Sequence, residues 1–205
     1  MLPVFLAAFV ALIPITNPFG GLAAFAGLTA SMPPKSAHAQ AWKTGIYVGA
    51  ILVVFAVVGT FLLSFLGIGL PALQVAGGLV VMHSGFGMIS AKPQLSDPEK
   101  QGAAVQTDVS FSPMALPLVA GPGAIGVVIA MSARHSSWDA RLGVVLACVA
   151  IAVLVALLLR YGTPLVDKLG PAGIGALTRI MGFLILAIGV ELALHGVVEF
   201  VKSAT

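Results

Sequence analysis

Residues 44–91 read TGIYVGAILVVFAVVGTFLLSFLGIGLPALQVAGGLVVMHSGFGMISA, 48 positions without one Asp, Glu, Lys or Arg. One membrane-spanning helix needs only about 20 apolar residues, so this stretch is too long for one span. Gly67-Ile68-Gly69-Leu70-Pro71 cuts it with a tight turn, and two helices result. The runs are continuously apolar, without the alternation a membrane β-barrel would show.

Working outward, residues 1–34 carry no charge, and no Lys or Arg precedes Lys35. A secretory signal peptide begins with basic residues, so this end is expected to remain as a membrane helix. A fourth span is expected from Val109 to Ala133, a fifth from Leu142 to Leu159 and a sixth from about Gly173 to Phe200. The whole chain has 205 residues, 59% hydrophobic and 8% charged, with mean hydropathy +1.09. Soluble domains are about 25% charged, so lipid is the expected solvent. The net charge of +3 is scattered singly over short loops, which excludes a nucleic-acid-binding stripe. The single Cys148 excludes a disulfide framework or a cysteine metal site.

Six spans place the loops in two sets. Lys35, Lys43, Lys92, Lys100, Arg160 and Lys168 fall on one side; Arg134, Arg141 and Lys202 fall on the other. Basic loops stay cytoplasmic, so both termini are expected outside. Residues 92–108, with Pro93, Pro98 and mixed charges, read as a cytoplasmic linker between halves 1–91 and 109–205.

The two halves match at one shift of 104 residues. Pro18 maps to Pro122, Ala11-Leu12 to Ala115-Leu116, Gly69 to Gly173, Leu73 to Leu177, Gly78 to Gly182 and Gly85 to Gly189. Each half holds three spans, an odd number, so the second must be inverted. The expected fold is all-α, a polytopic membrane protein of two inverted three-helix repeats, a plan common among secondary transporters.

Equivalent positions in spans 1 and 4 carry Pro14-Ile15-Thr16-Asn17-Pro18-Phe19-Gly20-Gly21 and Pro117-Leu118-Val119-Ala120-Gly121-Pro122-Gly123-Ala124. Proline removes a backbone donor and displaces its predecessor from helical geometry. A single such proline is usually a kink filled by neighbouring helices. Paired breaks at symmetric positions predict interrupted helices, which survive in lipid only where they line protein or a cavity. Each following half-helix would present free N–H groups and a positive dipole end. Thr16, Asn17, Pro18, Gly20, Gly21, Gly121, Pro122, Gly123 and Ala124 are therefore the expected substrate site, a midplane cradle for a carboxylate.

Among other polar residues, Glu191 could carry a coupling proton, or reach water near a span end beside His195. His83 could be a relay or a packing histidine. Arg179 could snorkel to the surface or pair with Asp167 or Asp108. Gln74 and Thr178, equivalent under the 104 shift, could line the pathway. Gly45 and Gly49 suit close packing within or between protomers.

The motifs Asn17-Pro18-Phe19-Gly20, residues 117–125 and Gly175-Ala176-Leu177-Thr178-Arg179-Ile180-Met181-Gly182 resemble those of the MarC (multiple-antibiotic-resistance-related) family, grouped with LysE-type exporters. The resemblance implies six transmembrane helices in a bacterial inner membrane and transport of small neutral amino acids such as alanine and glycine. It also implies a substrate site at the two broken helices. No metal or organic cofactor is expected; a proton or sodium ion would couple transport. The expected partners are an amino-acid substrate, the lipid bilayer and further copies of the chain, with no nucleic acid. An ion channel and a non-transport structural membrane protein are the alternatives. No nucleophile–base constellation or catalytic motif marks an enzyme.

Overall fold

The computed structural model describes residues 1–90, 107–135 and 137–204. The expected linker, 92–108, lies outside these except for Thr107 and Asp108. Among the described residues the chain is all-helical: α1 (Leu2–Thr16), α2 (Pro18–Thr29), α3 (Pro34–Phe65), α4 (Leu70–Ile89), α5 (Ser110–Val119), α6 (Pro122–Arg134), α7 (Trp138–Tyr161) and α8 (Thr163–Ala204). Four of these, α3, α4, α7 and α8, are long and apolar enough to cross a membrane alone. The pairs α1/α2 and α5/α6, bent by 43° and 62°, bring the total to six when each counts as one span.

The boundaries differ from expectation where proline starts a helix. Pro34 opens α3 ten residues before the uncharged stretch begins, because its fixed φ and missing N–H suit a first turn. Lys35 and Lys43 thus ride on the helix. At the other end of the chain, α8 starts at Thr163 and bends at Gly170 (φ 60) ahead of Pro171, a conformation glycine adopts without strain.

Small residues bring the helices together. A Cβ built on Gly78 of α4 would lie 2.6 Å from the Gly189 carbonyl oxygen of α8, and one on Gly85 would lie 2.8 Å from that of Gly182. As the number rises on α4 it falls on α8, so the two run antiparallel. Between α3 and α7, a Cβ on Gly45 would lie 2.5 Å from that of Ala156. The Gly45/Gly49 face is therefore used within the chain. Lipid tails are as apolar as leucine, so backbone proximity and dispersion drive this association. Leu12, Leu22, Val48, Leu52, Met114, Val128 and Ile151 fill the centre. Phe61, Phe65, Phe183 and Leu194 point outward and are 60–76% exposed, as a lipid-facing surface requires. Trp42, Tyr47, Trp138 and Tyr161 are exposed too, in keeping with interfacial aromatics.

Candidate functional site

The first break is one residue wide. Pro14 stays inside α1; it sits in the last turn, where its missing N–H removes a single intrahelical bond. Asn17 then turns left-handed (φ 40, ψ 62), its N–H donating to the Pro14 carbonyl at 3.0 Å. Asparagine is among the few side-chain-bearing residues that visit this region. Its Oδ1 accepts from the Gly20 N–H at 3.3 Å, capping α2. The other end of the same amide, Nδ2, is buried without a partner. Thr16 donates back to the Leu12 and Ile13 carbonyls at 2.9 and 3.2 Å, so its hydroxyl proton is engaged. Thr16, Asn17, Pro18, Gly20 and Gly21 are all buried.

The second break is broader. Within α5 the turns are wide: Met114 N–H bonds to Val109 O and Ala120 N–H to Ala115 O, five residues back. Ser112 and Leu116 are extended, and cis peptide bonds precede Pro113 and Pro117. Gly121 opens α6 with no side-chain cap, and the first bond of that helix runs from Ile125 N–H to Gly121 O. The N–H groups of Gly123 and Ala124 thus precede the hydrogen-bond ladder. Ala124 is buried, Gly121 and Gly123 are half-buried, and Pro122 is exposed. The two helix starts therefore differ: α2 is closed by its own asparagine, and α6 is open.

The breaks adjoin. A Cβ built on Gly21 would meet Val119 Cγ2 at 3.5 Å. A Cβ on Gly123 would meet Val81 Cγ2 of α4 at 3.0 Å. An apolar groove of about 270 Å³ lies elsewhere, between α3 and α7 from Trp42 to Ala156, apart from the break residues.

The remaining polar candidates separate. Gln74 is fully buried, with neither amide atom bonded, and Thr178 is half-buried. His83, Arg179 and Glu191 lie on the exposed outer faces of α4 and α8. His83 is thus no packing histidine of the core. Glu191 has His195 Nδ1 3.6 Å from its Oε1, the surface arrangement with a helical neighbour one turn on. Asp108 does not serve Arg179: its Oδ2 lies 2.6 Å from Lys43 Nζ. Among the described residues no three His, Cys, Asp or Glu side chains gather to hold a metal.

One cluster has no counterpart in the motif reading. The Gln40 amide of α3 spans the chain entering α5, donating to Thr107 O and accepting from Val109 N–H, both at 3.2 Å. Beside it, Asp108 accepts from Lys43, from the Ser110 hydroxyl and, at 3.0 Å, from the Ser110 N–H. The Lys43 ammonium, then Ser110, hold its carboxyl down at about 2. Partners 65 to 69 residues apart leave no local sequence signal.

The family model described as "MarC family integral membrane protein" matches residues 2–201. An inner membrane protein MarC of Salmonella typhimurium is 31% identical, over 95% of this chain and 94% of its own. Its counterpart in Escherichia coli O1:K1 is 33% identical over the same shares. A membrane protein of Methanocaldococcus jannaschii is 35% identical, over 94% of this chain and 95% of its own. No solved structure matches the chain.

Proposed function

The chain belongs to the MarC family of integral membrane proteins, and from that premise we propose that it is a secondary transporter of small neutral amino acids. The observation that carries the reading is the juxtaposition of two interrupted spans, the first buried and the second partly exposed, each with donors left over. Asn17 Nδ2 is buried without a partner, and the Gly123 and Ala124 N–H groups stand at an uncapped helix start. These donors suit a carboxylate, and backbone freed at a break suits an ammonium. Glycines at 20 and 21 favour close approach of a small side chain to backbone.

The same reading takes the halves 1–91 and 109–205 as inverted repeats. Gly78 against Gly189 and Gly85 against Gly182 are contacts that exchange with one another under the 104-residue shift. That is the behaviour of a two-fold axis lying between α4 and α8. Such an axis lets one arrangement open to either side of the membrane. Loop charge favours a cytoplasmic 92–108 segment and outward termini, in an inner membrane like that of the Salmonella and Escherichia relatives.

The test is uptake of labelled alanine and glycine by proteoliposomes holding the purified chain. A carrier saturates and shows counterflow when the vesicles are preloaded with unlabelled solute. Flux that rises linearly without counterflow makes it a channel, and absence of flux with every neutral amino acid removes the transport reading.

A further inference from the structure

Gln74 is the polar side chain most at odds with its surroundings. It is 0% exposed, in the second turn of α4, and neither Nε2 nor Oε1 has a hydrogen-bond partner. In a membrane interior each unmet polar group is destabilising, and an orphaned buried amide calls for an explanation such as an absent guest. A leucine of similar length would fill the same space without that penalty.

Gln74 lies against α8, where a Cβ built on Gly196 would stand 2.9 Å from Gln74 Cβ, and α6 meets α4 one turn further on. On α4, Gly77 follows Gln74 by one turn, and Val81 follows Gly77 by another. A Cβ built on Gly126 of α6 would lie 3.5 Å from Gly77 Cα, and Gly123 abuts Val81. An antiparallel seam thus runs from the open start of α6 towards Gln74, with glycine against glycine at Gly77 and Gly126 and the side chains of Val81 and Leu192 beside it. The 104-residue shift turns this seam into one between α8 and α2. There Met181, Leu22 and Phe19 replace Gly77, Gly126 and Gly123, and Thr178 replaces Gln74. Larger residues thus stand there at the positions where the α4–α6 seam has glycines, so the α4–α6 seam has the smaller obstruction.

Charge limits the guest. The buried polar side chains among the described residues are Thr16, Asn17, Thr29, Gln40, Thr44, Gln74, Ser110 and Ser132, none of them ionisable. A bare ion at Gln74 would lack a counter-charge, which a low-dielectric site penalises heavily. A small zwitterion brings both charges and is neutral overall.

We propose that Gln74 is a second solute station, at the far end of the α4–α6 seam from the helix breaks, where Nε2 donates to the carboxylate of a small zwitterion and Oε1 accepts from its ammonium. The station rests on the transporter reading above for the solute, and on geometry alone for its accessibility.

Two variants test it. Gln74→Leu should melt no lower than the parent, since an unpaired amide is exchanged for an apolar group, yet carry alanine at least tenfold more slowly. A variant that melts higher and transports within twofold of the parent overturns the station. Gln74→Cys reads access directly, with the buried Cys148 as the sealed-thiol reference. A small hydrophilic methanethiosulfonate should modify position 74 at least tenfold faster than Cys148, and alanine should slow the reaction. Modification no faster than at Cys148 overturns the proposal. Fast modification that alanine leaves unchanged, together with a parent that takes up no amino acid, removes the transporter reading and keeps an accessible amide site.

Discussion

Asn17 holds three jobs that substitution can separate: it turns the chain left-handed, caps α2 through Oδ1, and leaves Nδ2 unpaired in the interior. Asn17→Gly keeps the left-handed turn without strain and weakens the cap by only a few tenths of a kcal/mol. Asn17→Ala loses a cap worth about 1 kcal/mol and the local amide hydrogen bonding that offsets a left-handed conformation costing about 1–2 kcal/mol. In a chain of this size about 1 kcal/mol moves a melting temperature by roughly 2–4 °C. The alanine variant should thus melt about 5–10 °C lower, and the glycine variant within about 1–2 °C of the parent. Both lose the Nδ2 donor. A hydrogen bond to a charged group contributes about 1.5–3 kcal/mol, so alanine affinity should fall about 10- to 100-fold in each. The assay is thermal unfolding in detergent across an alanine titration, since a ligand of the folded state raises the midpoint with concentration. An Asn17→Gly protein that binds alanine within twofold of the parent would refute the role of Nδ2. One that melts as low as Asn17→Ala would refute the left-handed geometry.

The close approach of α4 and α8 predicts that Gly78→Ala, whose Cβ would sit 2.6 Å from Gly189 O, is less stable than Gly87→Ala, whose Cβ meets nothing within 4 Å. Both variants share the helix-propensity gain, so overpacking alone separates them, by about 1–3 kcal/mol in detergent unfolding; equal stabilities would mean the helices do not meet there. The Lys43–Asp108 pair predicts an acid effect of definite sign. The Asp108 carboxyl is lowered to about 2 against roughly 3.9 in an unfolded chain. Its stabilisation is therefore complete above about pH 4 and lost as pH falls towards 2. Lys43→Met should flatten that part of the stability–pH profile, and an unaltered profile would dismiss the pair.

Much of this protein is legible without coordinates, because lipid imposes a simple rule: a backbone must satisfy its own hydrogen bonds, so long uncharged runs become helices. Residues 44–91 declare two spans, and the proline–glycine motifs near 17 and 121 declare two interruptions by chain sterics alone. The 104-residue shift pairs Gly78 with Gly182 and Gly85 with Gly189 from the letters themselves. Whether a glycine meets its own counterpart or that of its neighbour depends on how α4 and α8 run past each other. Tertiary packing alone pairs Gly78 with Gly189. Packing also divides side chains that look alike in sequence. Gln74, His83, Arg179 and Glu191 are all polar residues in apolar runs, yet only Gln74 is enclosed. Facing inward or outward is a question of helix rotation against neighbours, and a uniformly apolar span carries almost no periodic signal to set it. The unequal helix starts, α2 capped by Asn17 and α6 open, and the Gln40 clamp on Thr107 and Val109 likewise arise from dihedral angles and long-range contacts, which no local motif encodes.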